Sequence, residues 1–220
     1  MLKLNNLHFA YADSKVIFKG LSIKFQVNKI YGIVGENGSG KTTLFNLLMN
    51  RLQPQQGEIE LRGFHHVNNK QEYQNSIIFS NDEPEFPGYL TGKEWLEFVL
   101  KAYAVPFDEI LFAELSEVFA FPEIHARIAK YSHGMNKKLS MMINFMVNPA
   151  CMIFDESMAG IDPFTLKAIY QYIREARLDR IILISSHSRE LLESCADELW
   201  QVQACELRLL QHFDDIFIDE

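Results

Sequence analysis

Alternating apolar and polar residues mark the start of the chain. The first such stretch covers about 2–11, and the second has apolar residues at every other position, Leu21, Ile23, Phe25 and Val27. A third short stretch of this kind, 58–61, follows a cluster of Gln, Pro and Gly residues at 53–57. Strict alternation is typical of strands with one buried face. These stretches predict an N-terminal antiparallel β layer.

Continuous apolar runs and helical patterns alternate through the rest of the chain. The short apolar runs, which predict buried strands, lie at 30–34, 77–79, 151–154 and 181–185. Amphipathic patterns predict helices at 42–50, 136–147, 163–177 and 189–196, and two short strand-like pieces end the fold near 199–203 and 205–210. Strands that alternate with helices favour a mostly parallel sheet.

The pattern changes after residue 90. Thr91 and Glu94 have the spacing of a capping box, in which each side chain bonds a backbone N–H near the other. Amphipathic helices are predicted behind this box and at 108–119, followed by a short helical piece at 122–130. We therefore expect a helical lobe at about 90–135, inserted in one domain that spans 1–220.

A glycine-rich loop joins the first predicted parallel strand to its helix. Residues 35–42 read Gly-Glu-Asn-Gly-Ser-Gly-Lys-Thr and fit G-x-x-x-x-G-K-[ST], the loop that cradles nucleotide phosphates. Glycines let the backbone curl around an anion, and the helix N-terminus points N–H groups at it. Lys41 can reach the β- and γ-phosphates, and the Thr42 hydroxyl can ligate Mg²⁺. The expected nucleotide contacts are Gly35, Asn37, Gly38, Ser39, Gly40, Lys41, Thr42 and Thr43.

The alternative, a glycine-rich turn with a chance lysine, is disfavoured because all eight positions match between a strand and a helix. The fold class predicted is therefore α/β: a P-loop NTPase core with a mostly parallel sheet, the N-terminal antiparallel β layer and the inserted helical lobe.

Two acids end the apolar run at 151–154. An aspartate at the carboxyl end of a strand lies at the edge where α/β proteins bind ligands, so Asp155 is expected to hold Mg²⁺. The adjacent Glu156 is placed to orient or deprotonate a water that attacks the γ-phosphate. Taken alone, the pair could equally cap a strand at the surface.

Bulk composition narrows the class of protein. Hydrophobic residues make up 48% of the chain and charged residues 23%, as in ordinary globular proteins, and the net charge of −8 argues against a nucleic-acid partner. No apolar stretch reaches the roughly 18 residues that a membrane span needs.

The three cysteines lack C-x-x-C spacing and are interpreted as reduced thiols of a cytoplasmic protein. The adjacent His65 and His66 are interpreted as part of a solvated turn.

The order of these motifs resembles the nucleotide-binding subunits of ATP-binding cassette (ABC) proteins. Before the Asp-Glu strand that family carries Leu-Ser-Gly-Gly-Gln, where this chain has Tyr-Ser-His-Gly-Met at 131–135. The resemblance runs from about residue 2 to 210. It implies ATP and Mg²⁺ as cofactors, and Ser132 and Gly134 as contacts to the γ-phosphate of ATP bound to the opposite subunit. Whether or not it contacts ATP, Ser132 can also cap the helix that follows it.

The resemblance assigns three further roles. Tyr11 sits where an aromatic ring stacks on adenine, and His187 matches the histidine that senses the γ-phosphate. Asp162 matches the aspartate that couples the two sites of a dimer, although an Asp before Pro163 is also a good helix N-cap. With these, Glu156, His187 and Lys41 form the expected catalytic set.

One loop departs from the family pattern. After the strand at 77–79 the family usually has a glutamine that contacts Mg²⁺ and links to the membrane partner. One alignment puts Asn81 at that position, and another puts Asp82 there. We therefore include Asn81 with Thr42 and Asp155 as expected metal ligands.

The leading hypothesis is the ATPase subunit of an ABC transporter, peripheral on the inner face of the membrane. A second copy or a homologous cassette would close over two ATP molecules, and separate membrane subunits would dock on the helical lobe. The resemblance leans toward export. The alternatives are a soluble ABC ATPase without a transport role and a degenerate module that holds ATP without hydrolysing it.

Overall fold

The computed structural model describes residues 1–12, 15–212 and 215, so the last part of the predicted domain 1–220 lies outside the described residues. A four-stranded antiparallel sheet forms the N-terminal layer. Its strands, in chain order, are β1 (Leu2–Ala10), β2 (Val16–Phe25), β4 (Gln56–Leu61) and β5 (Phe64–His65), arranged β2-β1-β4-β5. The alternating pattern of β1 places Leu2, Leu4 and Leu7 in the core.

The second sheet carries the phosphate loop. It contains β3 (Lys29–Val34), β6 (Ile77–Ser80), β7 (Cys151–Asp155), β8 (Ile181–Ser185), β9 (Glu198–Gln203) and β10 (Glu206–Leu210), in the order β10-β9-β3-β8-β7-β6. The pairs β3–β8, β3–β9, β7–β8 and β6–β7 are parallel, whereas β9 and β10 form an antiparallel hairpin. The predicted α/β fold with a mostly parallel core sheet is confirmed.

Seven α-helices connect the strands over the described residues: α1 (Lys41–Leu48), α2 (Lys70–Asn75), α3 (Gly92–Ala102), α4 (Glu109–Val118), α5 (His133–Val147), α6 (Pro163–Ala176) and α7 (Arg189–Cys195). Helix α5 is buried continuously from Leu139 to its last residue, Val147, whereas its N-terminus is more exposed. Within the described residues, every helix is too short or too polar to cross a membrane.

The region after the loop at 81–91 is helical. The predicted capping box is present at the start of α3: Glu94 N–H donates to Thr91 Oγ1 at 3.2 Å, and Thr91 N–H donates to the Glu94 carboxylate at 2.8 Å. Two 3₁₀ turns, Pro122–His125 and Ile128–Lys130, replace the predicted helical piece at 122–130. The division into one domain with an inserted lobe stays a prediction.

The predicted solvated turn at His65 and His66 is wrong for His66. That side chain is buried, and its ring accepts a hydrogen bond from the Ile59 N–H at 3.0 Å. Burial also lowers the pKa of His66. The strand β5 and the helix α2, which flank this turn, were not predicted.

Candidate active site

The glycine-rich loop connects β3 to α1 and is fixed by close contacts that exclude larger side chains. Gly35 has a φ of +145°, and a Cβ there would lie 2.7 Å from the Val202 carbonyl oxygen. Gly40 has a φ of +121°, and its Cβ would lie 2.7 Å from Ile17 Cγ2. L-residues rarely adopt such φ values, so these two positions require glycine.

The Lys41 side chain folds back on this loop. Its Nζ donates hydrogen bonds to the carbonyl oxygens of Gly35, at 2.6 Å, and Glu36, at 3.1 Å. Burial lowers the pKa of Lys41, while the nearby Glu156 and Asp155 raise it. In the same loop the Ser39 hydroxyl is buried without a hydrogen-bond partner among the described residues. The loop thus presents an ammonium group and an unsatisfied polar group beside a helix N-terminus, as an anion site requires.

Asp155 ends β7 and is almost completely buried. One carboxylate oxygen accepts a hydrogen bond from the Thr42 hydroxyl at 3.1 Å, and the other accepts one from the Ser185 hydroxyl. The parallel pairing of β7 with β8 puts Ser185 directly opposite Asp155. A hydroxyl and a carboxylate held together in this way fit the preference of Mg²⁺ for oxygen ligands.

Glu156 has a left-handed backbone conformation, with a φ of 51°. Its N–H lies 3.2 Å from the Ser185 carbonyl, and its carboxylate accepts a hydrogen bond from the His187 N–H at 3.3 Å. The other carboxylate oxygen is buried and lacks a hydrogen-bond partner among the described residues, although His187 Nε2 lies 3.5 Å away. Burial raises the pKa of Glu156, and the His187 ring opposes this rise. A carboxylate with a raised pKa is suited to accept a proton from water.

A cavity of about 560 Å³ gathers most of the predicted site residues. Its walls include Tyr11, Asn37, Gly38, Gly40, Lys41, Thr42, Thr43, Asn81, Asp155, Glu156 and His187. Gly35 and Ser39 line a neighbouring cavity of about 440 Å³ on the other side of the loop. The Tyr11 hydroxyl lies 3.0 Å from the Thr43 hydroxyl, which fixes the ring at the cavity wall.

Three predicted residues do not line either cavity. Ser132 caps α5 by accepting a hydrogen bond from the Met135 N–H at 3.2 Å, and Gly134 lies in the first turn of that helix. Asp162 caps α6 by accepting one from the Thr165 N–H at 2.9 Å. This bond lowers the pKa of Asp162 to about 2. Each residue can cap its helix and also contact a second subunit, so the two predicted roles are compatible.

The loop after β6 brings both Asn81 and Asp82 to the cavity. The Asn81 amide donates to the Glu83 carbonyl at 3.0 Å, which leaves its side-chain oxygen available. Asp82 instead forms an ion pair with Lys137 of α5.

Sequence reasoning missed three cavity residues: Lys15, Ile17 and Glu83. Lys15 donates to the Gly38 carbonyl at 3.2 Å and so contacts the phosphate loop. It lies outside every motif, so the sequence carried no signal for it. Ser185, which bonds Asp155, could have been found from the parallel alignment of the strands at 151–155 and 181–185.

Known proteins share both the sequence and the fold of this chain. Residues 18–159 match the family model described as ABC transporter. The chain is 29% identical over 208 residues to the uncharacterized ABC transporter ATP-binding protein YdbJ of Bacillus subtilis (strain 168), covering 92% of this chain and 68% of that one. It is 29% identical over 225 residues to the ATP-binding protein BexA of Haemophilus influenzae, covering 98% and 94%. A solved structure of an ATP-binding subunit of an ABC transporter superimposes with a TM-score of 0.86 at 21% identity, covering 96% of this chain and 90% of the other.

Proposed function

The chain belongs to the ABC transporter family, and we propose that its phosphate loop, Asp155 and Glu156 form one half of a composite ATP site. The predictions of an ATP-binding subunit and of an ATPase that powers transport are confirmed. A second copy, or a homologous cassette, would supply the other half of the site from Ser132 and Gly134.

The separation of two groups of residues supports this proposal. Lys41, Thr42, Asp155, Glu156 and His187 share one cavity, whereas the α5 N-terminus lies apart from it. Ser132 and His133, at that terminus, are exposed, so its free N–H groups can meet an anion held by another molecule. An isologous dimer would then form two complete sites.

The roles within one half-site follow from the contacts. The loop N–H groups and Lys41 would bind the phosphates, with Lys41 exchanging its present carbonyl partners for phosphate oxygens. Thr42, Asp155 and Asn81 would hold Mg²⁺, which when bound neutralises negative charge on the phosphates. Glu156 would orient and deprotonate the attacking water, and His187 would hold the Glu156 carboxylate.

The Tyr11 ring would stack on the adenine, and Asp162 would contact the second subunit. Separate membrane subunits would bind the helical lobe, where Tyr89 and Phe98 are exposed, and would keep the subunit at the inner face of the membrane. Export of the cargo stays a prediction.

Replacing the proposed base tests the composite site. Glu156→Gln should nearly abolish ATP hydrolysis while ATP still binds, so the variant should elute as a dimer in size-exclusion chromatography only when ATP is present. The exposed Glu117→Gln on α4 is a matched control and should hydrolyse ATP as the wild type does. Undiminished hydrolysis in Glu156→Gln would contradict the assignment of the base, and a monomer at saturating ATP would contradict the composite site.

A further inference from the structure

Lys137 carries a buried charge outside the cavity. This side chain, in the second turn of α5, is 2% exposed. Its ammonium forms an ion pair with the Asp82 carboxylate and donates a hydrogen bond of 2.6 Å to the Ala159 carbonyl. Neither contact belongs to α5 itself, so Lys137 connects this helix to two separate loops.

Both loops reach the proposed reaction centre. Asp82 lines the same cavity as Thr42, Asp155 and Glu156. The Ala159 N–H lies 3.2 Å from the Glu156 carbonyl, which places the Lys137 partner one hydrogen bond from the proposed base. Helix α5 begins five residues earlier at the cap, Ser132, that would bind the phosphate of the other site.

A second polar contact fixes the same face of α5. The buried hydroxyls of Ser140 and Ser80 lie 2.6 Å apart, at the end of β6. Residues 137 and 140 are neighbours on a helix surface, and their partners, Ser80 and Asp82, are two positions apart in one segment. The two contacts thus set the position of the loop at 81–91 along the helix. This loop, which follows β6, is called the cavity loop below.

Stability alone does not explain a charged pair at this position. Burying an ammonium group carries a desolvation cost, and replacing both members of such a pair by apolar side chains is often neutral or stabilising. The Lys137 ammonium has three N–H donors, so it can bond the Asp82 carboxylate and the Ala159 carbonyl together, which an apolar side chain cannot do.

We propose that Lys137 is a positioning residue for ATP hydrolysis. Through Asp82 and Ala159 it keeps the cavity loop and the segment after Glu156 in register with the helix that completes the opposite site. The inference rests on the proposed composite site. Lys137 itself contacts no part of the phosphate loop, so its loss should lower the turnover of ATP more than the binding of ATP.

A double-mutant cycle in steady-state ATP hydrolysis tests this role. Lys137→Met and Asp82→Asn should each lower kcat by about tenfold and change KM for ATP by less than about twofold. The double variant should lose no more than Lys137→Met alone, since both changes remove one interaction. Glu85→Gln, an exposed acid of the same loop, is the matched control and should keep the wild-type kcat. Nucleotide-binding stoichiometry separates lost turnover from lost folded protein.

Several outcomes would overturn the inference. Lys137→Met with the wild-type kcat would contradict it, as would a variant in which only KM for ATP changes. Losses of kcat that multiply in the double variant would mean that Asp82 acts independently of Lys137. If Lys137→Met does not fold, Lys137→Leu, which also lacks an N–H donor, takes its place in the cycle. A wild-type protein that does not hydrolyse ATP would overturn the proposed function as well, whereas an active wild type beside an active Lys137→Met overturns this inference alone.

Discussion

The Thr42 hydroxyl donates a hydrogen bond of 3.1 Å to the Asp155 carboxylate, although 113 positions separate the two residues in the chain. The bond joins the first turn of α1 to the end of β7. Asp155 is 7% exposed, so its carboxylate depends on such donors in place of water. The proposed Mg²⁺ would bind between these same two side chains.

Thr42→Ala should therefore weaken Mg²⁺ binding. It also removes the hydrogen bond to Asp155 from the protein without nucleotide. We expect the free Mg²⁺ concentration that gives half-maximal ATP hydrolysis to rise by about tenfold or more, as for metal sites that lose a supporting group. Thr42→Ser keeps the hydroxyl and should behave as the wild type does. Equal Mg²⁺ dependence of the alanine and serine variants would contradict a role for this hydroxyl.

Lys41→Ala should reduce the affinity for ATP. A hydrogen bond to a charged group contributes about 1.5–3 kcal/mol, which corresponds to a loss of roughly 10- to 150-fold in the dissociation constant. The measurement is equilibrium binding of a fluorescent ATP analogue. Lys24→Ala removes an exposed lysine of β2 and should leave the affinity unchanged. Equal affinity of the Lys41 variant and the wild type would exclude this loop as the phosphate site.

Much of the core could be predicted from the sequence because local patterns determine it. The short buried runs at 151–154 and 181–185 are typical of strands in a covered parallel sheet, and parallel strands bring their carboxyl ends to one edge. This rule predicts that Asp155 lies at the same edge of the sheet as the phosphate loop. The fixed spacing of the glycines and Lys41 between a strand and a helix identified the loop itself.

Contacts between distant segments could not be predicted in the same way. His66 lies in a polar stretch without periodicity, yet its side chain is buried and its ring accepts a hydrogen bond from the Ile59 N–H of β4. Lys137 and Lys138 are adjacent in the sequence, but their side chains are 2% and 15% exposed. Lys137 pairs with Asp82, whereas Lys138 pairs with Asp162 at the start of α6. Such differences depend on packing, which a single sequence does not encode locally.

Substitutions of Tyr11 test how the adenine of ATP is bound. If the ring stacks on adenine, Tyr11→Ala should weaken ATP binding by about 1–3 kcal/mol, the usual loss when an aromatic ring under a base is removed. Tyr11→Phe keeps the ring and loses only the contact to the Thr43 hydroxyl, so its ATP affinity should stay close to that of the wild type. Isothermal titration calorimetry measures the ATP affinity of both variants and so distinguishes ring stacking from the hydroxyl contact. A loss in the phenylalanine variant as large as in the alanine variant would assign the effect to the hydroxyl and not to stacking.

The raised pKa of Glu156 predicts how pH affects stability. Burial is its main cause, so the folded protein holds this proton more tightly than the unfolded chain, and stability falls as pH rises from the ordinary value of 4.5 through the raised one. Glu156→Gln removes the charged form. The variant should therefore have a higher Tm than the wild type at about pH 7, and the difference should disappear as the pH falls below about 4.5. Calorimetry without nucleotide measures both proteins across this range. A wild-type Tm equal to that of the variant at about pH 7 would mean that the buried carboxylate carries no cost, and that its pKa is not raised.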